Sequence, residues 1–76
     1  MSWLKVGNVM TITDAHEVWL CTGKCDTKGQ KIMVIDIKHI DISRERSRVS
    51  VMFCDGSVTT FDAETIASWI GLGYRK

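Results

Sequence analysis

The stretch "VSVMFCDGSVTTF", Val49 to Phe61, decides the fold. Two runs rich in β-branched and aromatic residues flank Asp55-Gly56. Asp-Gly between such runs favours a tight hairpin turn, because glycine takes a positive φ without a Cβ clash. Val49, Val51 and Phe53 recur at period two, so they share one face of a strand. Ser57 to Phe61 is the return strand. Beyond it the period changes. Asp62 is placed to cap a helix through its side-chain oxygen. Thr65 stands at the third helical position, so a capping box is only partial. Ala63, Ile66, Ala67 and Ile70 follow at helical spacing, and Gly71 and Gly73 stop the helix.

Upstream of the hairpin, "DISRERSR" is a polar connection with three arginines. "KIMVIDIKHI", Lys31 to Ile40, predicts a strand. Its first five residues are nearly all apolar, which implies burial on both faces, and Ile35 to Lys38 then alternate as on a half-buried strand. "GKCDTKGQ" has the composition of a loop. "VWLCT", Val18 to Thr22, carries β-branched and aromatic residues and predicts another strand. The polar "DAHE", Asp14 to Glu17, separates it from a first strand over Asn8 to Thr13.

Five short strands and one short C-terminal helix make the chain mainly β, and a small bent barrel is the expected way to bury their faces. An SH3-like barrel suits the order better than an OB-fold. The OB-fold is longer and carries a helix between strands three and four, where this chain has only "DISRERSR".

The 76 residues allow a single domain, 1–76. With 45% hydrophobic and 25% charged residues, the chain is not a disordered tail. Ten basic residues nearly balance nine acidic ones, so the net charge of +1 gives no broad attraction to nucleic acid or an anionic membrane. No run approaches the roughly 20 apolar residues of a membrane span. "MSWLKVGNVM" does not read as an export signal, so a cytoplasmic location is expected. Three cysteines, an odd number, fit a reducing compartment better than a disulfide framework.

The segment "VSVMFCDGSVTTFDAETI", Val49 to Ile66, resembles Tudor domains: a β-run ending in an aromatic, an acidic turn, a return strand and a short helical turn. "VMTITDAHEVWLCT", Val9 to Thr22, is similar to the first hairpin of that family. The resemblance implies the small barrel. It also implies an aromatic cage for methylated lysine or arginine, of which Trp19 and Phe53 match two positions. Thr13 and Thr59 stand at the other two.

Cys21 and Cys25 have the spacing of a zinc knuckle, but the remaining candidates, Cys54, His16 and His39, form no second close pair. The two cysteines are therefore expected to be ordinary thiols around a turn. Lys24 and Lys28 beside Cys25 favour thiolate, yet no base and orienting group complete a nucleophile. Asp14, Glu17, Asp55 and Asp62 fit turn and cap roles. "GLG", Gly71 to Gly73, follows a helix rather than opening one, so it is no phosphate loop. No catalytic constellation, cofactor site or metal site is expected.

Two surfaces remain. Arg44, Arg46 and Arg48 alternate in "SRERSR", with Lys38 upstream, and a strand would put the three arginines on one side. Such a stripe can grip phosphates, with Trp19 or Phe53 as stacking aromatics. Three tryptophans in so short a chain also suit protein contacts, Trp69 either anchoring a partner or sealing the barrel. The expected function is a non-catalytic binding module, a small stand-alone regulator or inhibitor of the kind encoded by bacteriophages. It would dock on a protein through Trp19, Lys38, Arg44, Arg46, Arg48, Phe53 and Trp69. The alternative is a nucleic-acid-binding barrel that uses the arginine-rich tip.

Overall fold

The computed structural model describes residues 3–41 and 46–72, and the side chains of 3–39 and 47–72. Four antiparallel strands form one open sheet in the order β1-β2-β3-β4: β1 Val9–Thr11, β2 Lys31–Asp41, β3 Arg46–Phe53 and β4 Val58–Asp62. Helix α1, Ala15–Thr22, connects β1 to the loop before β2, and α2, Ala63–Trp69, follows β4 directly.

The fifth strand expected at Val18 to Thr22 is therefore helical, and the described residues form an open sheet instead of a closed barrel. Local chemistry explains the difference. Asp14 caps α1, its Oδ1 accepting the Glu17 N–H at 3.2 Å. Asp14 and Glu17 have the spacing of a capping box, which stabilises a first turn. Gly23 ends the helix, donating its N–H to the Trp19 carbonyl at 2.8 Å. Val18 is fully buried, and packing of that one side chain outweighs the β-propensity of "VWLCT".

The β3–β4 hairpin forms where Asp-Gly places it. The Phe53 N–H donates to Ser57 O, and Gly56, at φ 86, donates to Phe53 O, both at 2.9 Å. The three residues Cys54 to Gly56 thus close the loop with glycine in the left-handed position. Asp55 Oδ1 accepts from both the backbone N–H and the hydroxyl of Ser57, at 2.9 and 2.7 Å.

Register assigns the faces. Met10, Ile32 and Phe53 lie side by side, as do Val34, Val51 and Thr59, and then Ile37, Val49 and Phe61. These rows form the inner face, on which α2 packs directly, with α1 beside α2 contributing Val18 to the same core. Val18, Ala63, Ile66, Ala67, Trp69 and Trp3 complete the core. Trp69 stands at its centre, 5.5 Å from Phe61 edge-on and 6.1 Å from Phe53.

The apolar start of β2 is not buried on both faces. Met33 and Ile35 are only partly covered, and a bulge at Ile35 shifts the register, so that Val34 and Ile37 both face inward.

The C-terminus of α2 organises the start of α1. Its Trp69 carbonyl accepts the N–H groups of Thr13 and Asp14 at 2.9 and 3.0 Å. The Leu72 N–H returns to the Ala67 carbonyl at 2.8 Å, with Gly71 left-handed between them, as in a Schellman cap. Asp62 occupies the N-cap of α2 but makes no side-chain cap hydrogen bond. Its carboxylate instead meets Arg48, at 3.5 Å.

Candidate functional site

Among the described residues, helix α1 carries the most exposed aromatic anchor. With Val18 held in the core, the next two positions turn outward. Trp19 is 49% exposed and Leu20 57%. His16, one turn earlier, stacks on Trp19 with ring centroids 6.1 Å apart. Residues three apart are neighbours on a helix, so the imidazole limits the indole's freedom before any partner arrives. The fixed, half-exposed indole beside an exposed leucine has the character of an interface anchor.

Phe53 and Trp69, expected at the contact surface, are core side chains, Trp69 with no exposed area. The helical stripe and the inward phase of β3 account for both. The contact surface is therefore drawn without them.

The basic stripe is partly assembled. Lys38 lies directly opposite Arg48 on the outer face of the β2–β3 ladder, and Asp62 lies on the other side of Arg48. Arg46 pairs with Asp41 in the ladder. Arg44 lies outside the described residues. His39 shares a 2.9 Å hydrogen bond with Ser47 through Nδ1 and Oγ, which satisfies one of its ring nitrogens.

The cysteines do not converge. Cys21 packs against the core from α1, whereas Cys25 and Cys54 are exposed. Among the described residues no three of His, Cys, Asp and Glu come together as metal ligands. Cys25 and Cys54 do share an open cleft of about 520 Å³ with Lys24, Thr27, Gln30, Phe53 and Asp55.

Lys24 spans that cleft. Its Nζ lies 3.0 Å from Asp55 Oδ2 and 4.9 Å from the centroid of the Phe53 ring. Hydrogen bonds from the Ser57 hydroxyl and backbone, then from Lys24, hold the Asp55 carboxyl well below the usual carboxylate range. Asp55 and Lys24 at the cleft rim thus brace the hairpin turn, while Gln30 Nε2 donates to the Asp26 carbonyl at 2.9 Å. The buried Thr27 hydroxyl finds no partner among the described residues.

Sequence reasoning found Trp19 but placed it on a strand, and it missed Leu20. The Asp14–Glu17 capping pair and Gly23 were the signals for both. No helix among the described residues is long and apolar enough to cross a membrane. A scan of protein-family models finds no match to the chain, and no curated protein or solved structure matches it.

Proposed function

We propose that the chain is a non-catalytic protein-binding module, a small regulator or inhibitor that docks through helix α1. One observation carries it: Trp19 and Leu20 stand outward on a helix whose other side is locked into the core by Val18. Exposed tryptophan is a frequent source of binding energy, and one held by a stacked neighbour loses less entropy on docking. The methyl-mark cage of the Tudor resemblance is not part of this role, because Phe53 is buried with Lys24 above its ring. Nor does docking need a closed SH3-like barrel, since the helix layer alone presents the anchor.

Affinity capture from extract of the producing cells, followed by mass spectrometry, tests the role. The Trp19→Ser/Leu20→Ser protein should lose at least tenfold of a specific capture that Arg48→Ser retains. Unchanged capture by the double variant would remove α1 from the site.

A second reading rests on the opposition of Lys38 and Arg48. Like charges directly across a ladder repel; Asp62 on the far side of Arg48 offsets part of that cost, and an anion between Lys38 and Arg48 would offset the rest. If phosphates bind there, log affinity for single-stranded nucleic acid falls by about 0.7 per contact for each decade of salt. Absence of binding at low salt ends that reading.

A further inference from the structure

Among the described residues, the open sheet leaves one face uncovered by helices, and register shows what lies on it. Val9 is opposite Met33, Met33 opposite Met52, and Met52 opposite Val58. These four side chains form one unbroken apolar row across all four strands. Its ends are open to solvent, Val9 at 55% and Val58 at 54% exposure. Isolated exposed apolar residues are ordinary, but a row spanning an entire sheet is a surface awaiting cover.

Charge flanks the row on both sides within β2. Lys31 lies two residues before Met33, in a row with Thr11, whose Oγ1 accepts from Lys31 Nζ at 2.6 Å. Asp36 lies three residues after Met33, but the bulge at Ile35 absorbs one residue. Asp36 is therefore opposite Ser50, two residues from Met52 on β3. Lys31 and Asp36 consequently sit one pleat repeat either side of the methionine row, both exposed.

We propose that this face pairs with the same face of a second copy of the chain, about a two-fold axis lying along the row. That operation keeps each strand over its own counterpart and reverses its direction. Valines and methionines meet their equivalents, and Lys31 of each copy falls over Asp36 of the other. The face is self-complementary in apolar surface and in charge, as an isologous contact requires. No other two-fold axis in the interface plane combines the full apolar row with both charge pairs.

The face measures roughly 20 Å by 20 Å, four strands at about 4.8 Å and a few pleat repeats, or about 400 Å² per copy. That is half of the ~800 Å² per partner of a standard stable interface, so the dimer is weak and concentration-dependent. Both helix layers stay on the outside, so each Trp19 remains free.

Sedimentation velocity on the full chain, from about 10 µM to about 500 µM, tests the pairing, because a weak dimer is populated by mass action. A reversible monomer–dimer equilibrium is expected. Met52→Lys should raise its dissociation constant at least tenfold with an unchanged far-UV circular dichroism spectrum. Lys31→Glu or Asp36→Lys alone should weaken it about fivefold, and the two together should restore it to within about twofold, since the charges then attract again. Trp19→Ser/Leu20→Ser should leave it unchanged, which separates this interface from the docking helix. A chain that remains monomeric throughout the range overturns the proposal, even if footprinting in cell extract shows a different protein on the face. So does a dimer indifferent to Met52→Lys, or a double charge swap without recovery.

Discussion

Replacing Trp69 separates two opposed effects in the core. The indole is fully buried against Phe53 and Phe61, and its Nε1 finds no acceptor among the described residues. Trp69→Ala removes the central ring and should cost about 3–5 kcal/mol. At roughly 0.05–0.15 kcal/mol per residue, a domain of this size holds only about 4–11 kcal/mol in all. The alanine protein is therefore marginal. Trp69→Phe behaves differently. It leaves a gap of about 40 Å³, which at ~24 cal/mol per Å³ costs about 1 kcal/mol. It also removes a buried donor whose unmet hydrogen bond costs about 1–3 kcal/mol. The two oppose each other, so stability should change by no more than about 2 kcal/mol. The corresponding melting shift is under about 16 °C, at 4–8 °C per kcal/mol for a domain this small. Urea and thermal denaturation followed by circular dichroism measure both variants. A loss above about 3 kcal/mol for Trp69→Phe would mean that the indole N–H is hydrogen-bonded, and the accounting would be wrong.

Three other perturbations probe local devices. Asp14→Ala removes the cap of α1 and should cost about 0.5–2 kcal/mol, read by urea denaturation, with weaker partner capture because α1 displays Trp19. Gly71→Ala combines a left-handed backbone at φ 82 with a Cβ placed 2.9 Å from Thr13 Oγ1. A loss of at least about 1 kcal/mol is expected, of which Thr13→Ala in the same chain should recover part. The carboxyl of Asp55 is more acidic folded than unfolded, so its contribution is complete above the ordinary carboxylate pKa, about 4, and declines as pH falls below it. Denaturation at pH 5 and pH 3 should show wild type losing more stability on acidification than Asp55→Asn; equal losses would contradict the turn network.

Much of the sheet was legible because alternation is written into it. Val49, Val51 and Phe53 kept period two and are all buried. Asp-Gly identified the hairpin, and Ala63, Ile66 and Ala67 the last helix. Helix α1 was harder to read. Eight residues give barely two turns, too few for a period to show, and Val18 and Trp19 prefer strands when judged singly. Its ends carried the information, in Asp14, Glu17 and Gly23. The bulge at Ile35 had no local signal, since glycine is absent there and the apolar run extends right up to it. The uncovered methionine row escaped for the same reason: an unbroken apolar run cannot reveal which face lacks a partner. At the site, composition showed Trp19 to be noteworthy, but Trp69 and Phe53 look the same in sequence, and only packing separates anchor from core.

The bonds from Thr13 and Asp14 to the Trp69 carbonyl join positions 56 and 55 residues apart. The first helix therefore cannot be tethered until Trp69 itself has been translated. Nascent chains still lacking Trp69 emerge without this clasp, so α1 is fixed in place only after all four strands have been made. A product terminated before Trp69 lacks both the clasp and the central ring, which makes it a ready substrate for cellular proteases.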